Sequence, residues 1–468
     1  MNEQLIAELA GLAEMPAWMV APSSQRVGEE LAAHTKLLGG DVQQCRQHLT
    51  RMRTGYWEAW YTVTVRAADG GMHSVQFRGE LRPPDVPPPS SGDVGIPDLG
   101  LTLVVQGRHN QDADGRNDPG LPILADLLDP GRAARLLEQA LHKADARYAD
   151  ARVISCSPVV ARHKMASRCT IVNHLEYAAS TPAPPMLVTK TYHGVKGDIA
   201  WRGMTALWNT PLARGDIVRI AEPISFDPAA RLLVQGPVPG DHTLKQALAA
   251  AVVGGSSDQL QRFRQHLSAT ADGLVALHHS RARSDHVAYF DEELAEVRSA
   301  WGRLKSLVPQ LDGAADGFLG AVAGLATEST PDPFVPSHQS FRLAQVLLDG
   351  DRVGFIDFDG FGMGEPAQDV ALMRATIRCY GSALPLDAKV PWEQAMESRL
   401  DLLDELCESF SARYLRTGSF SADRLAAWEL MNVFVHLQNA WTKVIPARPA
   451  TSLAALGRLL ASTTLPSA

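Results

Sequence analysis

The chain has 468 residues, 45% of them hydrophobic and 21% charged, and a formal net charge of −8. Its length exceeds a single ordinary domain of roughly 100–200 residues, so two or three folded units are expected, with ample apolar content for a large core. The acidic balance argues against a general nucleic-acid binder, which needs a basic surface to neutralise phosphates, but it leaves room for a local basic pocket.

Five cysteines, Cys45, Cys156, Cys169, Cys379 and Cys407, are scattered with no Cys-x-x-Cys pair. That usage speaks against a disulfide framework or zinc site and for reduced thiols in a cytoplasmic protein. The N-terminal stretch carries acids and no basic segment before an apolar run, so it does not read as a signal peptide. No run of ~18 apolar residues marks a membrane span.

Taken in chain order, residues 1–81 open with an amphipathic helical stretch and turn strand-like at Tyr56. The segment YWEAWYTVTV is aromatic and β-branched, suited to a pleated, half-buried surface. Asp69-Gly70-Gly71 supplies a hairpin turn and His73–Leu81 the return strand. Residues 1–81 thus read as a helix-plus-hairpin cap. Residues 82–120 contain RPPDVPPPSSGDVGIPDLG and GRHNQDADGRNDPG, Pro/Gly-rich stretches without helical periodicity, and read as a linker. A helical run follows from Leu121 to about Tyr148.

From Arg152 the rhythm is strand, strand, strand (RCTIVNHLEY second, MLVTKTY third), a short helix (KGDIAWRGMTALW), and a strand pair around RIAEPISF and RLLVQGPV. After Pro239-Gly240 the pattern is mostly helical. Strands first and helices second imply an α+β unit of two lobes, a β-rich lobe over 121–238 and a helical lobe over 239–468, with a cleft between them. A weak internal echo places Cys45 where Cys156 falls and Phe77 where Lys190 falls, so the N-terminal segment reads either as a duplicated half-lobe or as an unrelated helix-then-hairpin segment.

The most informative segment is SHQSFRLAQVLLDGDRVGFIDFDGFGMGEPAQDVALM. Its middle is an apolar strand ending in two acids, Asp357 and Asp359, and acids at a strand end can project into a cleft where hard carboxylate oxygens suit Mg²⁺. The order is a His-containing loop, a strand, Ile356-Asp357-Phe358-Asp359, then Gly364-Glu365-Pro366-Ala367-Gln368-Asp369 before a helix. This order resembles the aminoglycoside phosphotransferase, choline kinase and maltokinase superfamily, whose members read His-Gly-Asp-x-x-x-x-Asn/Gln, then Ile-Asp-Phe/Trp-Asp/Glu, then Gly-x-Pro-x-x-Asp. The resemblance spans Arg152 to about Trp441 and implies a bilobal protein-kinase-like fold using ATP and Mg²⁺.

By that resemblance Asp357 and Gln345 are the metal ligands, Asp359 a second acid, and Asp369 an anchor for the catalytic loop. Lys190 is the candidate for the α/β-phosphates of ATP. Ser167 belongs to a nucleotide loop that contains no glycine, and Gln235 to Val238 form the lobe-linking hinge at the adenine. Asp198 is the one acid between Lys190 and Gly215, hence the candidate partner of Lys190, and His278 is expected to be structural.

The pattern departs from the family at the catalytic aspartate, replaced here by Ser340, which is no general base near neutral pH. Arg342 lies where protein kinases carry a catalytic-loop lysine, so a cation remains available to the transferring phosphoryl group. Two functions therefore stand open. One is a phosphotransferase acting on a hydroxyl of a small molecule, sugar or peptide; the other is a pseudokinase that binds nucleotide or a protein partner. Glu429, Asn432, His436, Gln438 and Asn439, on one helical stretch, are either acceptor-pocket residues or satisfied polar residues between helices. No nucleic-acid or membrane partner is expected.

Overall fold

The computed structural model describes residues 2–20, 22–48, 50–87, 92–110, 118, 120–165 and 167–465. The chain divides into two compact units. The first holds residues 1–114, 291–324 and 433–468, and the second holds 115–290 and 325–432.

In the first unit the aromatic-rich segment folds as expected. Its strands are β1 (Asp41–Gln47), β2 (Arg51–Arg53), β3 (Tyr56–Arg66), β4 (Met72–Leu81), β5 (Val94–Ile96) and β6 (Leu101–Asn110). They form one sheet in the order β1-β3-β4-β6-β5, with β2 also on β3. Period-two alternation puts Trp57, Ala59, Tyr61, Val63 and Val65 on one buried face of β3. The turn is built by Gly70, whose φ of 84° a side chain would disfavour, and by the Gly71 amide donating to Asp69 Oδ1 at 2.8 Å.

Two expected boundaries are corrected. Residues 82–120 are not simply a linker, because β5 and β6 lie inside them and β6 pairs along the whole of β4. The apolar run LTLVVQ between the two polar stretches is what makes that strand. Most of the flanking stretches, residues 88–91, 111–117 and 119, lies outside the described residues. Nor is 239–468 a single helical lobe, since 291–324 and 433–468 cluster with the N-terminal segment. Helix Pro449–Ser462 packs on helix Asn2–Leu9, where Asn2 donates to Leu460 O at 2.6 Å. Trp441 Nε1 donates to Leu12 O at 3.2 Å.

The second unit begins with helix Pro130–Ala144 followed by β7 (Val153–Lys164), β8 (Arg168–Tyr177) and β9 (Met186–Tyr192). After helix Lys196–Trp208 come β10 (Arg219–Ile220), β11 (Pro223–Asp227) and β12 (Leu232–Gln235). The sheet runs β11-β12-β9-β8-β7, antiparallel throughout. Leu137 and Leu141 of the helix join Ile171, Leu187, Leu232 and Val234 of the sheet in one apolar core. Each fully buried side chain of this size is worth about 1.5–3 kcal/mol, which fixes the helix on the sheet.

The rest of the unit is mostly helical, with helices Leu244–Gly254, Ser257–His278, Pro366–Ser382 and Trp392–Tyr414 at its centre. Short strands lie among the helices: β13 (His242–Thr243), β14 (Val335–Ser337), β15 (Val346–Asp349), β16 (Arg352–Phe355) and β17 (Gly362–Gly364). β13, β15, β16 and β10 form one small sheet, and β14 pairs with β17. The architecture is α+β, with a strand-rich lobe followed by a helical one.

Candidate active site

Lys190 sits on β9, the central strand of the five, flanked by Thr170 of β8 and Leu233 of β12. It is only 7% exposed, so it is a buried residue aimed at something and not a solvated edge lysine. Its Nζ donates to Asp357 Oδ1 at 2.7 Å and to Asp359 Oδ1 at 3.0 Å. The two acids follow β16 directly, and Asp357 holds a φ of 72°. A non-glycine residue in that region is strained by roughly 1–2 kcal/mol. The bend turns both carboxylates to the same lysine.

Two further residues complete the cluster. Arg168, directly opposite Tyr192 in the β8–β9 register, donates from Nη1 to Asp359 Oδ2 at 2.7 Å and lies 3.5 Å from Asp357 Oδ1. The Tyr192 hydroxyl donates to Asp359 Oδ1 at 3.0 Å. Sequence reading passed over both. Tyr192 is two residues from Lys190 and so shares its face of the strand, and Arg168 follows from the register, which only the fold supplies.

The charges are matched, two carboxylates against an ammonium and a guanidinium. Burial works to raise the Asp357 pKa, but the Lys190 and Arg168 charges outweigh it and hold the carboxyl far below the usual range. Burial likewise pulls the Lys190 pKa down, and Asp359 and Asp357 reverse that, leaving it raised. Burial and the neighbouring Asp359 push the Tyr192 hydroxyl well up.

Gln345 is buried beside Asp357. Its Nε2 stands 3.5 Å from Asp357 Oδ2, and its Oε1 accepts from Arg342 Nε at 3.3 Å. The donor set of Asp357, Asp359 and the Gln345 amide consists of hard oxygens, which fits Mg²⁺ held by one or two carboxylates plus substrate phosphates. The fit requires the Gln345 amide to turn its oxygen toward Asp357. Among the described residues no group of three His, Cys, Asp or Glu side chains forms an all-protein cage. Arg342 itself is exposed at the mouth of this cluster.

The loop before Gln345 is held by Asp369. This buried carboxylate accepts the His338 amide at 2.7 Å, the Gln339 amide at 2.8 Å and His278 Nε2 at 3.2 Å. His278 Nδ1 meets the Tyr414 hydroxyl at 2.6 Å, so the helix His278 ends is tied to the loop through Asp369. Gln339 has a φ of 57°, the left-handed region that glycine adopts freely, which explains why the resembling His-Gly-Asp motif carries glycine at this position. His338 Nε2 faces Ile356 O at 3.0 Å, and Ser340 Oγ lies 3.2 Å from His338 Nδ1 and 3.5 Å from Asp357 O. Burial lowers the His338 pKa, against the opposing pull of Asp369.

The remaining candidates fall as follows. Ser167 lies in the tight β7–β8 turn, where its amide is spent on Lys164 O at 3.0 Å and its carbonyl on His193 at 2.7 Å. That backbone is therefore committed within the turn rather than offered to a phosphate. Gln235 ends β12 and is buried; Val238, also buried, packs against Gly354 of β16, so this stretch bridges the two lobes of the unit. Asp198 does not meet Lys190, because it pairs with Arg202 one helical turn away on an exposed face. Glu429 is no acceptor-pocket residue either. It is 1% exposed and takes Arg374 Nε at 2.7 Å and Arg378 Nε at 2.8 Å. Gln438 donates to Val297 O at 3.0 Å, and Asn439 Oδ1 accepts from Lys443 at 2.5 Å.

Residues 218–403 match the model of a family described as APH, phosphotransferase enzyme family. No curated protein matches the chain. Among solved structures, a glucosamine kinase is 16% identical with a TM-score of 0.48, covering 93% of this chain and 99% of that one. A choline/ethanolamine kinase family protein from Mesorhizobium loti is 12% identical with a TM-score of 0.40, covering 70% and 95%. The aminoglycoside phosphotransferase APH(4)-Ia is 13% identical with a TM-score of 0.41, covering 69% and 98%. The matched segment carries the His338 loop, Asp357 and Asp369 in the order read from the sequence, and over these residues the chain is similar to that phosphotransferase family.

Proposed function

We propose that the protein is an ATP- and Mg²⁺-dependent phosphotransferase that moves a γ-phosphoryl group to a hydroxyl of a small molecule, sugar or peptide. The observation that carries this reading is the meeting of Lys190 with Asp357 and Asp359, a buried strand lysine facing two acids at the end of β16. Structural stability does not call for such a cluster, because buried ion pairs roughly break even against apolar packing. A site that must grip a polyphosphate and its cation does need it.

In this role Lys190 turns from the acids to nucleotide phosphate oxygens, and Asp357, with Gln345, is released to hold the metal. Bound Mg²⁺ would supply charge neutralisation at the β- and γ-phosphates. Arg342, at the edge of the cluster, meets charge developing on the transferred group. Gln235 to Val238 accommodate the adenine at the lobe junction. Phosphoryl transfer passes through a loose transition state in which positioning and charge dominate, so the loss of a carboxylate at Ser340 does not abolish it. A cytoplasmic setting is part of this proposal, supported by the free cysteines.

One observation favours a second reading. Ser340 replaces the proton-accepting carboxylate, as in a pseudokinase that binds nucleotide or a protein partner without turnover. The experiment is a melting-temperature titration with Mg-ATP, run beside a phosphoryl-transfer assay over sugars, amino alcohols and serine peptides. A ligand at 100 times its Kd stabilises by about 2.7 kcal/mol. The shift should appear in the wild type, lose its Mg²⁺ dependence in Asp357→Ala, and shrink in Lys190→Ala. A melting curve unmoved by Mg-ATP removes the phosphotransferase and the nucleotide-binding pseudokinase and leaves only a pseudokinase that binds a protein partner, while binding without transfer to any acceptor leaves the nucleotide-binding pseudokinase.

A further inference from the structure

Ser340 and His338 form a pair that the phosphotransferase reading leaves unused. The Ile356 carbonyl can only accept a hydrogen bond, so in a singly protonated His338 ring the proton sits on Nε2, 3.0 Å away. That leaves Nδ1 with its lone pair, and Ser340 Oγ lies 3.2 Å from it. The alternative acceptor for the serine hydroxyl, Asp357 O, is farther at 3.5 Å. A serine donating to a neutral imidazole whose other nitrogen is fixed is the arrangement that activates hydroxyl nucleophiles.

Its surroundings favour that role. The imidazole is enclosed by the Phe341 and Phe358 rings, at centroid distances of 5.5 and 4.6 Å, which hold its plane. Asp369 fixes the backbone of His338 and of Gln339. Ser340 is only partly buried, and it adjoins the backbone of Asp357, whose carboxylate faces Lys190. The serine is therefore partly exposed, and its hydroxyl lies beside the acid that would hold the metal of the phosphoryl donor.

We propose that Ser340 is itself a phosphoryl acceptor, taking the γ-phosphoryl group of a nucleoside triphosphate bound in the same molecule, with His338 as its base; this rests on the phosphotransferase reading above. Ser340 Oγ attacks the γ-phosphorus. The new oxygen–phosphorus bond forms as the bond from that phosphorus to the β,γ-bridging oxygen breaks. The bridging electron pair leaves with the nucleoside diphosphate, and the hydroxyl proton passes to His338 Nδ1. The product is a phosphoserine that restores negative charge where the resembling family carries its aspartate.

The test uses the full-length protein in two states. Without nucleotide, ¹⁵N spectra of the histidine-labelled protein should show His338 protonated at Nε2, with an Nδ1 signal that moves in Ser340→Ala; a ring protonated at Nδ1 overturns the proposal. With Mg-ATP, mass spectrometry should find one phosphoryl group on the peptide containing Ser340, accumulating at a rate independent of protein concentration. Ser340→Ala and Asp357→Ala should abolish the modification, and Ser340→Thr, which keeps a hydroxyl, should retain it. His338→Gln should slow it roughly 10²-fold, the scale of a lost general base, while the melting shift with Mg-ATP persists. A protein whose melting temperature rises with Mg-ATP but whose Ser340 stays unmodified overturns this proposal alone. A protein that shows no Mg-ATP shift overturns the phosphotransferase reading and this proposal with it.

Discussion

Lys190 Nζ lies 2.7 Å from Asp357 Oδ1, across 167 residues of sequence and from one lobe of the second unit to the other. The ammonium thus occupies one oxygen of the acid assigned to the metal. Asp359 is engaged as fully, by Lys190, Tyr192 and Arg168. Without a nucleotide to draw the cations away, the acids are already neutralised, so the cluster should take a divalent ion only together with a polyphosphate.

Arg168 tests that coupling. Its removal should leave two carboxylates against Lys190 alone and raise the affinity for Mg²⁺ in the absence of nucleotide. One charge-assisted hydrogen bond is worth about 1.5–3 kcal/mol, so a change of roughly tenfold or more is expected. Calorimetric titration of Arg168→Ala with MgCl₂, compared with wild type, measures it. An unchanged or weaker Mg²⁺ affinity would show that Arg168 does not compete with the metal.

The same cluster makes a pH prediction. The Asp357 pKa is depressed in the folded state, so between that value and the unfolded value of about 3.9 the unfolded chain binds more protons. Its stabilising contribution is therefore complete above about pH 5 and is lost as pH falls through the folded value. Lys190, raised in the folded state, contributes fully below about pH 10 and loses its contribution as pH rises through its folded value. Melting temperatures of wild type and Asp357→Asn should differ most near neutrality, and the gap should narrow progressively as pH falls below about 4 towards the folded value. A gap that stays constant on acidification would contradict the assignment.

Much of this site was legible in the sequence. The order of the His338 loop, Asp357 and Asp369 is local, and each falls at a strand or helix end that punctuation reveals. Lys190 was readable as a candidate, but its burial was not, because a lysine among β-branched residues reads equally well as an edge residue. Arg168 was hidden since its position depends on the β8–β9 register, a non-local quantity. β6 was missed because polar stretches on both sides masked a short apolar run. The return of residues 291–324 and 433–468 to the first unit leaves no local signature, since their helices carry apolar faces like any others.

Gln339 offers a sharper test of the loop geometry. At a φ of 57° the side chain is strained, and glycine there would relieve up to about 1–2 kcal/mol. Gln339→Gly also forfeits the bond from Nε2 to Met363 O at 3.1 Å, worth about 0.5–1.5 kcal/mol. The two effects oppose each other, so the melting temperature should change little, whereas Gln339→Val, β-branched, should lower it clearly. Equal effects of Gly and Val would mean the loop does not hold this conformation.

Asp369 holds the loop to the helical lobe, and its substitutions should form a graded series. Two amides, the buried His338 and the partly buried Gln339, donate to separate oxygens of this carboxylate, and His278 shares one of them. Asp369→Ala strands all of these donors at about 1–3 kcal/mol each, so a loss of several kcal/mol is expected. Asp369→Asn keeps one acceptor oxygen and should fall between wild type and alanine. Heat denaturation of the three proteins gives the order. The functional consequence follows from position: Asp369 touches neither Lys190 nor the acids, so at a temperature where Asp369→Asn remains folded, its Mg-ATP melting shift should persist. Modification of Ser340 should nevertheless slow, since the loop that presents the serine has lost one of its two backbone anchors. Full retention of both loop chemistry and stability in Asp369→Ala would show that the loop is held by contacts other than this carboxylate.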